Sequence, residues 1–142
     1  MASGGKKLAR PAFADDDGSP DLELRTALIS PTGSLIALLK TSRLLVAVVS
    51  VAGETSADGS DKSSHLAAVS MINDAGQKGL LAFTGVDSLA IWDPSARPVP
   101  VLGAEAGQAA IADGAMALVI DVAGPQRYVV TGIALVELAA AD

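Results

Sequence analysis

The sequence contains no cysteine, a single histidine, and only two phenylalanines, one tyrosine and one tryptophan. Without cysteine there is no disulfide framework, thiolate nucleophile, iron–sulfur cluster or cysteine-ligated zinc. His65 has no neighbouring histidine and no H-E-x-x-H setting, and a serine hydrolase would have to recruit it as its only imidazole base. Neither a G-x-S-x-G elbow nor an S-x-x-K pair is present. Beyond carboxylates and three methionines the metal-donor set is that one imidazole, so no metal and no cofactor is expected. Cations are in short supply as well. Ten Lys and Arg against 16 Asp and Glu give a net charge of -6, which disfavours a grip on nucleic-acid phosphates. The longest apolar run, Leu44 to Val49, falls far short of the roughly 18 residues of a membrane span. The basic start at Lys6, Lys7 and Arg10 passes into Pro11 and Asp15-Asp16-Asp17 with no apolar stretch between. A cytoplasmic protein without membrane association is therefore expected.

What the sequence does have is apolar material: 50% of its 142 residues are hydrophobic and 18% charged, which suits one domain with a substantial core. Residues 1–20, rich in Gly, Ser, Pro and Asp, read as a partly flexible arm, and residues 21–142 as the domain. Phe13 is the only large aromatic of that arm. Burying it is worth roughly 1.5–3 kcal/mol, so the arm is expected to dock there.

From Asp21 the apolar spacing turns helical, with Leu24, Ala27 and Leu28 on one side and Asp21 four residues before Arg25. Ser30-Pro31 ends that helix and reads as the cap and first turn of a second one carrying Leu35, Leu38 and Leu39, so the two form a hairpin. Arg43 to Val51 has the unbroken apolar character of a strand buried on both faces. His65 to Ile72 and Lys78 to Thr84 read as a β-hairpin turning at Asn73-Asp74-Ala75-Gly76. Thr84 and Asp87 have capping-box spacing before a short helix that Asp93-Pro94 ends. Pro98 to Leu102 reads as extended and belongs at a sheet edge or a strand entrance, because its two prolines cannot donate to a ladder. A helix over Ala104 to Ala112, a buried strand over Ala117 to Val122, a strand over Arg127 to Val130 and a helix from Gly132 to Ala140 complete the chain. The predicted class is α+β, a single domain whose mixed sheet contains a β-hairpin and is packed by an N-terminal helical hairpin and further short helices.

The glycine-containing loop Gly53 to Ser64 is not a phosphate loop: five residues separate Gly53 from Gly59, and Lys62 does not follow Gly59 directly. Asp15-Asp16-Asp17-Gly18 lacks the alternating ligands of an EF-hand. One polar cluster, Asp61, Lys62, Ser63 and Ser64, stands at the entrance of a strand, where loops on a rigid scaffold carry binding residues. Arg97 and Arg127 are isolated cations in apolar or turn-rich stretches, each suited to a carboxylate or to a surface ion pair. Asp61 to Ser64 with Arg97 is the predicted recognition surface, and the N-terminal arm is the alternative.

In order along the chain, Pro11-Ala12-Phe13-Ala14-Asp15-Asp16-Asp17-Gly18, Asp61-Lys62-Ser63-Ser64, Ala82-Phe83-Thr84 before the Trp92 helix, Ala96-Arg97-Pro98-Val99-Pro100 and Ala123-Gly124-Pro125 resemble the SseB family in its actinobacterial form. The resemblance spans nearly the whole chain. It implies a compact α+β domain, named for an enhanced serine sensitivity phenotype, and carries over no catalytic residue. Larger relatives have a further C-terminal domain. The expected function is a non-enzymatic regulatory or protein-interaction domain, monomeric or homodimeric, with a protein partner. The alternative is a binder of a small polar metabolite such as an amino acid, with Lys62 and Arg97 as carboxylate anchors.

Overall fold

The computed structural model describes residues 16–51 and 65–140. Five helices and seven strands follow one another: α1 (Leu22–Ile29), α2 (Leu35–Thr41), β1 (Arg43–Val51), β2 (His65–Ala68), β3 (Ser70–Ile72), β4 (Lys78–Ala82), α3 (Val86–Trp92), β5 (Arg97–Leu102), α4 (Gly103–Ala112), β6 (Ala117–Ile120), β7 (Tyr128–Thr131) and α5 (Gly132–Ala139). The class is α+β, with the N-terminal helix pair, the β3–β4 hairpin and an edge position for β5 as the sequence predicts. The single mixed sheet resolves into two. A three-stranded antiparallel sheet has the order β2-β1-β5, and a four-stranded sheet, β3-β4-β6-β7, is mixed because β4 and β6 run parallel.

The sheets are joined along β1. Leu45 and Phe83 exchange backbone hydrogen bonds, both 2.8 Å. Val69 donates to the Ala47 carbonyl and accepts from the Leu81 amide, so the strand predicted over His65 to Ile72 passes at that residue from β1 to β4. Period-two alternation then sorts the side chains. Leu44 and Val46 on β1, Leu80 and Ala82 on β4, Leu118 and Ile120 on β6 and Val130 on β7 face the larger core, under α1, α2, α4 and α5. Leu45, Ala47, Leu81, Phe83 and Val119 face the other way, where α3 covers part of the surface with Leu89 and Trp92. The aromatic pair Phe83 and Trp92 packs there at 5.6 Å between ring centroids.

Two helix starts differ from the sequence reading. Ser30 closes α1 and does not open α2, which begins after Ser34 once Pro31-Thr32-Gly33 has turned the chain. Thr84 makes no cap for α3. Gly85 occupies that position, and the threonine is drawn into the core by partners distant in sequence.

Candidate functional site

Two clusters of polar side chains emerge, at opposite levels of commitment. The first lies where the parallel strands β4 and β6 end. Asp121 is buried and holds φ at +52°, a left-handed conformation that Asp tolerates better than most side chains. Its carboxylate accepts from the Thr84 amide at 2.9 Å and from the Thr84 hydroxyl at 2.7 Å. That hydroxyl in turn accepts from Arg25 Nε at 2.7 Å, while the rest of the Arg25 guanidinium pairs with both oxygens of Asp87. The Arg25 bond holds the Asp87 carboxyl below the ordinary carboxylate value, and Asp87 raises the guanidinium in return.

Arg43 ties the incoming chain to the same edge. Its Nε lies 2.7 Å from Asp16, and its terminal nitrogens donate to the carbonyls of Ser19 and Thr84. Residues 16–20, assigned to the arm by sequence, are thus held against the domain. Among the described residues no buried side-chain nitrogen or oxygen lacks a partner, so this cluster offers nothing unspent to a ligand. It is a clasp.

The second cluster lies on the open face of the four-stranded sheet. A groove of about 480 Å³ runs over the ends of β3, β4, β6 and β7, with Met71, Gly79, Ala117, Val119, Val129 and Thr131 as floor and Met116 at its margin. The register explains the floor: Met71, Gly79, Ala117 and Thr131 stand in one row across all four strands, and Val119 and Val129 in the next. Gly79 keeps the row shallow, since a Cβ there would meet Val119 Cγ2 at 2.8 Å. Met71 is 41% exposed, Met116 54% and Val129 45%, an unusual concentration of uncovered apolar side chains on a sheet.

Arg127 supplies the groove's charge; Lys78 also lines it, but alternation along β4 sends its side chain with Leu80 to the other face. Lys78 Nζ is 2.9 Å from the Asp113 carboxylate and 3.1 Å from the Asp113 carbonyl; that contact depresses the Asp113 carboxyl. Arg127 donates from Nε to the Val122 carbonyl at 3.3 Å and meets no carboxylate among the described residues.

Of the residues singled out by sequence, Asp61, Lys62, Ser63 and Ser64 lie outside the described residues, as does Phe13. Arg97 opens β5, is exposed, and pairs in register with Val48, which pairs in turn with Ala68. Arg97 is thus level with Ala68, the last residue of β2, while His65, where β2 begins, lies opposite Val51, three residues further along β1. The groove residues were missed apart from Arg127. The readable signal was the two methionines beyond the first residue, Met71 within β3 and Met116 just before the Leu, Val and Ile run of β6. No group of three His, Asp or Glu side chains able to hold a metal, and no helix long and apolar enough to cross a membrane, occurs among the described residues.

Residues 29–136, most of the chain, match the SseB protein N-terminal domain. The chain belongs to the SseB family. No curated protein and no solved structure matches it. Within this SseB-family chain the matched segment contains every residue lining the groove, whereas Asp16 and Arg25 of the clasp precede it.

Proposed function

We propose that this SseB-family chain is a non-enzymatic interaction module that recognises a protein partner across the open face of its four-stranded sheet. The observation that carries this reading is the groove: an apolar floor on rigid strands, flexible methionines in that floor and at its margin, and an arginine fork without a carboxylate of its own among the described residues. The scarcity of imidazole and thiol in the sequence supports a binding role over a catalytic one. A photo-activatable amino acid placed at Met71 or Val129 is expected to cross-link one protein in the native cytoplasm, with the same residue at Ile91, on α3, as control. Val129→Glu should abolish that product without moving the thermal midpoint. Equal capture from Ile91, or cross-links from the groove that stay within the chain, would overturn the reading.

A second reading is favoured by Arg97, which opens β5 exposed and without a carboxylate partner among the described residues. On this reading Arg97 anchors the carboxylate of a small polar metabolite. A ligand at 100 times its dissociation constant adds roughly 2.7 kcal/mol to stability, so a thermal shift with free amino acids, lost in Arg97→Ala, is the expected sign.

A further inference from the structure

The composition of the groove runs against that of the chain. Sixteen acidic residues outnumber ten basic ones in the whole sequence, yet the ionisable groove residues are two cations and no acid. One of the cations is already neutralised, since Lys78 is paired with Asp113 at 2.9 Å. Arg127 is exposed and its side chain engages the described residues only through Nε, leaving the terminal nitrogens of a planar fork that matches a carboxylate with two parallel hydrogen bonds. In the same groove lie Val129, two residues further on and within β7, and Val119, its register partner on β6. Met71 and Met116 bound the far side, and unbranched thioether side chains adapt to apolar groups of varied shape.

We infer that the groove takes an acidic segment of the partner protein, with an Asp or Glu carboxylate on Arg127 and an adjoining apolar side chain seated between Val129 and the two methionines. This rests on the reading of the groove as the recognition surface. The dimensions suit a short segment: three strand spacings of about 4.8 Å make the floor about 14 Å wide, the length of some four extended residues.

The test is a selection of random dodecapeptides displayed on phage against the intact chain, run in parallel against Arg127→Glu, followed by titration of synthetic peptides. Peptides from the unmodified chain are expected to carry Asp or Glu next to Leu, Ile, Met or Phe, and to bind at least tenfold more weakly to Arg127→Ala than to Arg97→Ala. The Arg127→Glu selection should lose the acidic preference. Four results would overturn the inference: no acidic enrichment, equal binding to Arg127→Ala and Arg97→Ala, an undiminished acidic preference on Arg127→Glu, or displacement of the peptides by free glutamate or inorganic phosphate at matching concentration. Val129→Lys, which blocks the apolar seat and leaves Arg127 in place, must also weaken binding; peptides indifferent to it would sink the apolar half. If groove cross-linkers still capture a partner while acidic enrichment is absent, the interaction reading survives and only this chemistry falls.

Discussion

Thr84 donates its hydroxyl to Asp121 and accepts from Arg25 in a position with no solvent exposure, so its hydroxyl satisfies a carboxylate that is itself buried. Thr84→Val keeps the shape and removes the hydroxyl. Stranding a buried carboxylate oxygen costs about 1–3 kcal/mol, and the urea midpoint should fall accordingly at constant slope. An unmoved midpoint would show that the clasp contributes nothing to stability. Residues of this kind are the ones sequence reading assigns least well. Asp21, read from sequence only as a partner for Arg25, caps α1 through the Leu24 amide, three residues away. Arg25 also looks local, spaced to pair with Asp21, but its side chain reaches Asp87, 62 residues on. Thr84 and Asp87 have capping-box spacing, yet Asp121, 37 residues away, claims the threonine. Local propensity offered each side chain a neighbour, and burial beside a charge supplied a stronger one.

Elements buried on both faces were the most legible. β1 keeps the limits Arg43 and Val51 because an unbroken Leu and Val run is stable only where core lies on either side. The passage of β2 into β3 at Val69 had no such sign, since His65 to Ile72 contains neither glycine nor proline, and the break is imposed by the two strands competing for it. The groove was illegible for a related reason: four strands from β3 to β7 must be laid side by side before its floor exists, and only the register does that. Helix contact leaves a clearer trace. Gly103 opens α4 so close to α2 that a Cβ would lie 1.8 Å from the Leu39 carbonyl oxygen. Gly103→Ala must therefore push the two helices apart, and overpacking of this sort costs about 1–3 kcal/mol or more. The thermal midpoint of that variant should drop well below the parent's; parity would mean that α2 and α4 are not packed as described.

For the molecule as a whole, acid is the exposed flank. Four aspartates are held below their ordinary value of 3.8: Asp17 by the Ser19 hydroxyl, Asp87 by Arg25, Asp93 by the Ser95 amide and Asp113 by Lys78. A carboxyl depressed by folding adds stability that is complete above its unfolded value and lost as pH falls through its folded one. Urea midpoints should therefore hold from neutrality to about pH 5 and decline below pH 4. Asp87 is half exposed, so Asp87→Asn should cost no more than about 0.2–1 kcal/mol at pH 7, and the gap to the parent should close in strong acid. A gap of the same size at pH 7 and pH 2 would exclude the ion pair as its origin. The joining of the two sheets has one more consequence, for anyone wishing to work with the groove by itself. In chain order β5 lies between β4 and β6, yet it pairs only with β1, while β2 and β3 adjoin at Val69 but belong to different sheets. No single cut, and no contiguous excerpt, yields the four-stranded sheet without carrying β5 along, stripped of the strand it pairs with. The groove is heritable only with the whole domain: it can be trimmed from outside but not excised.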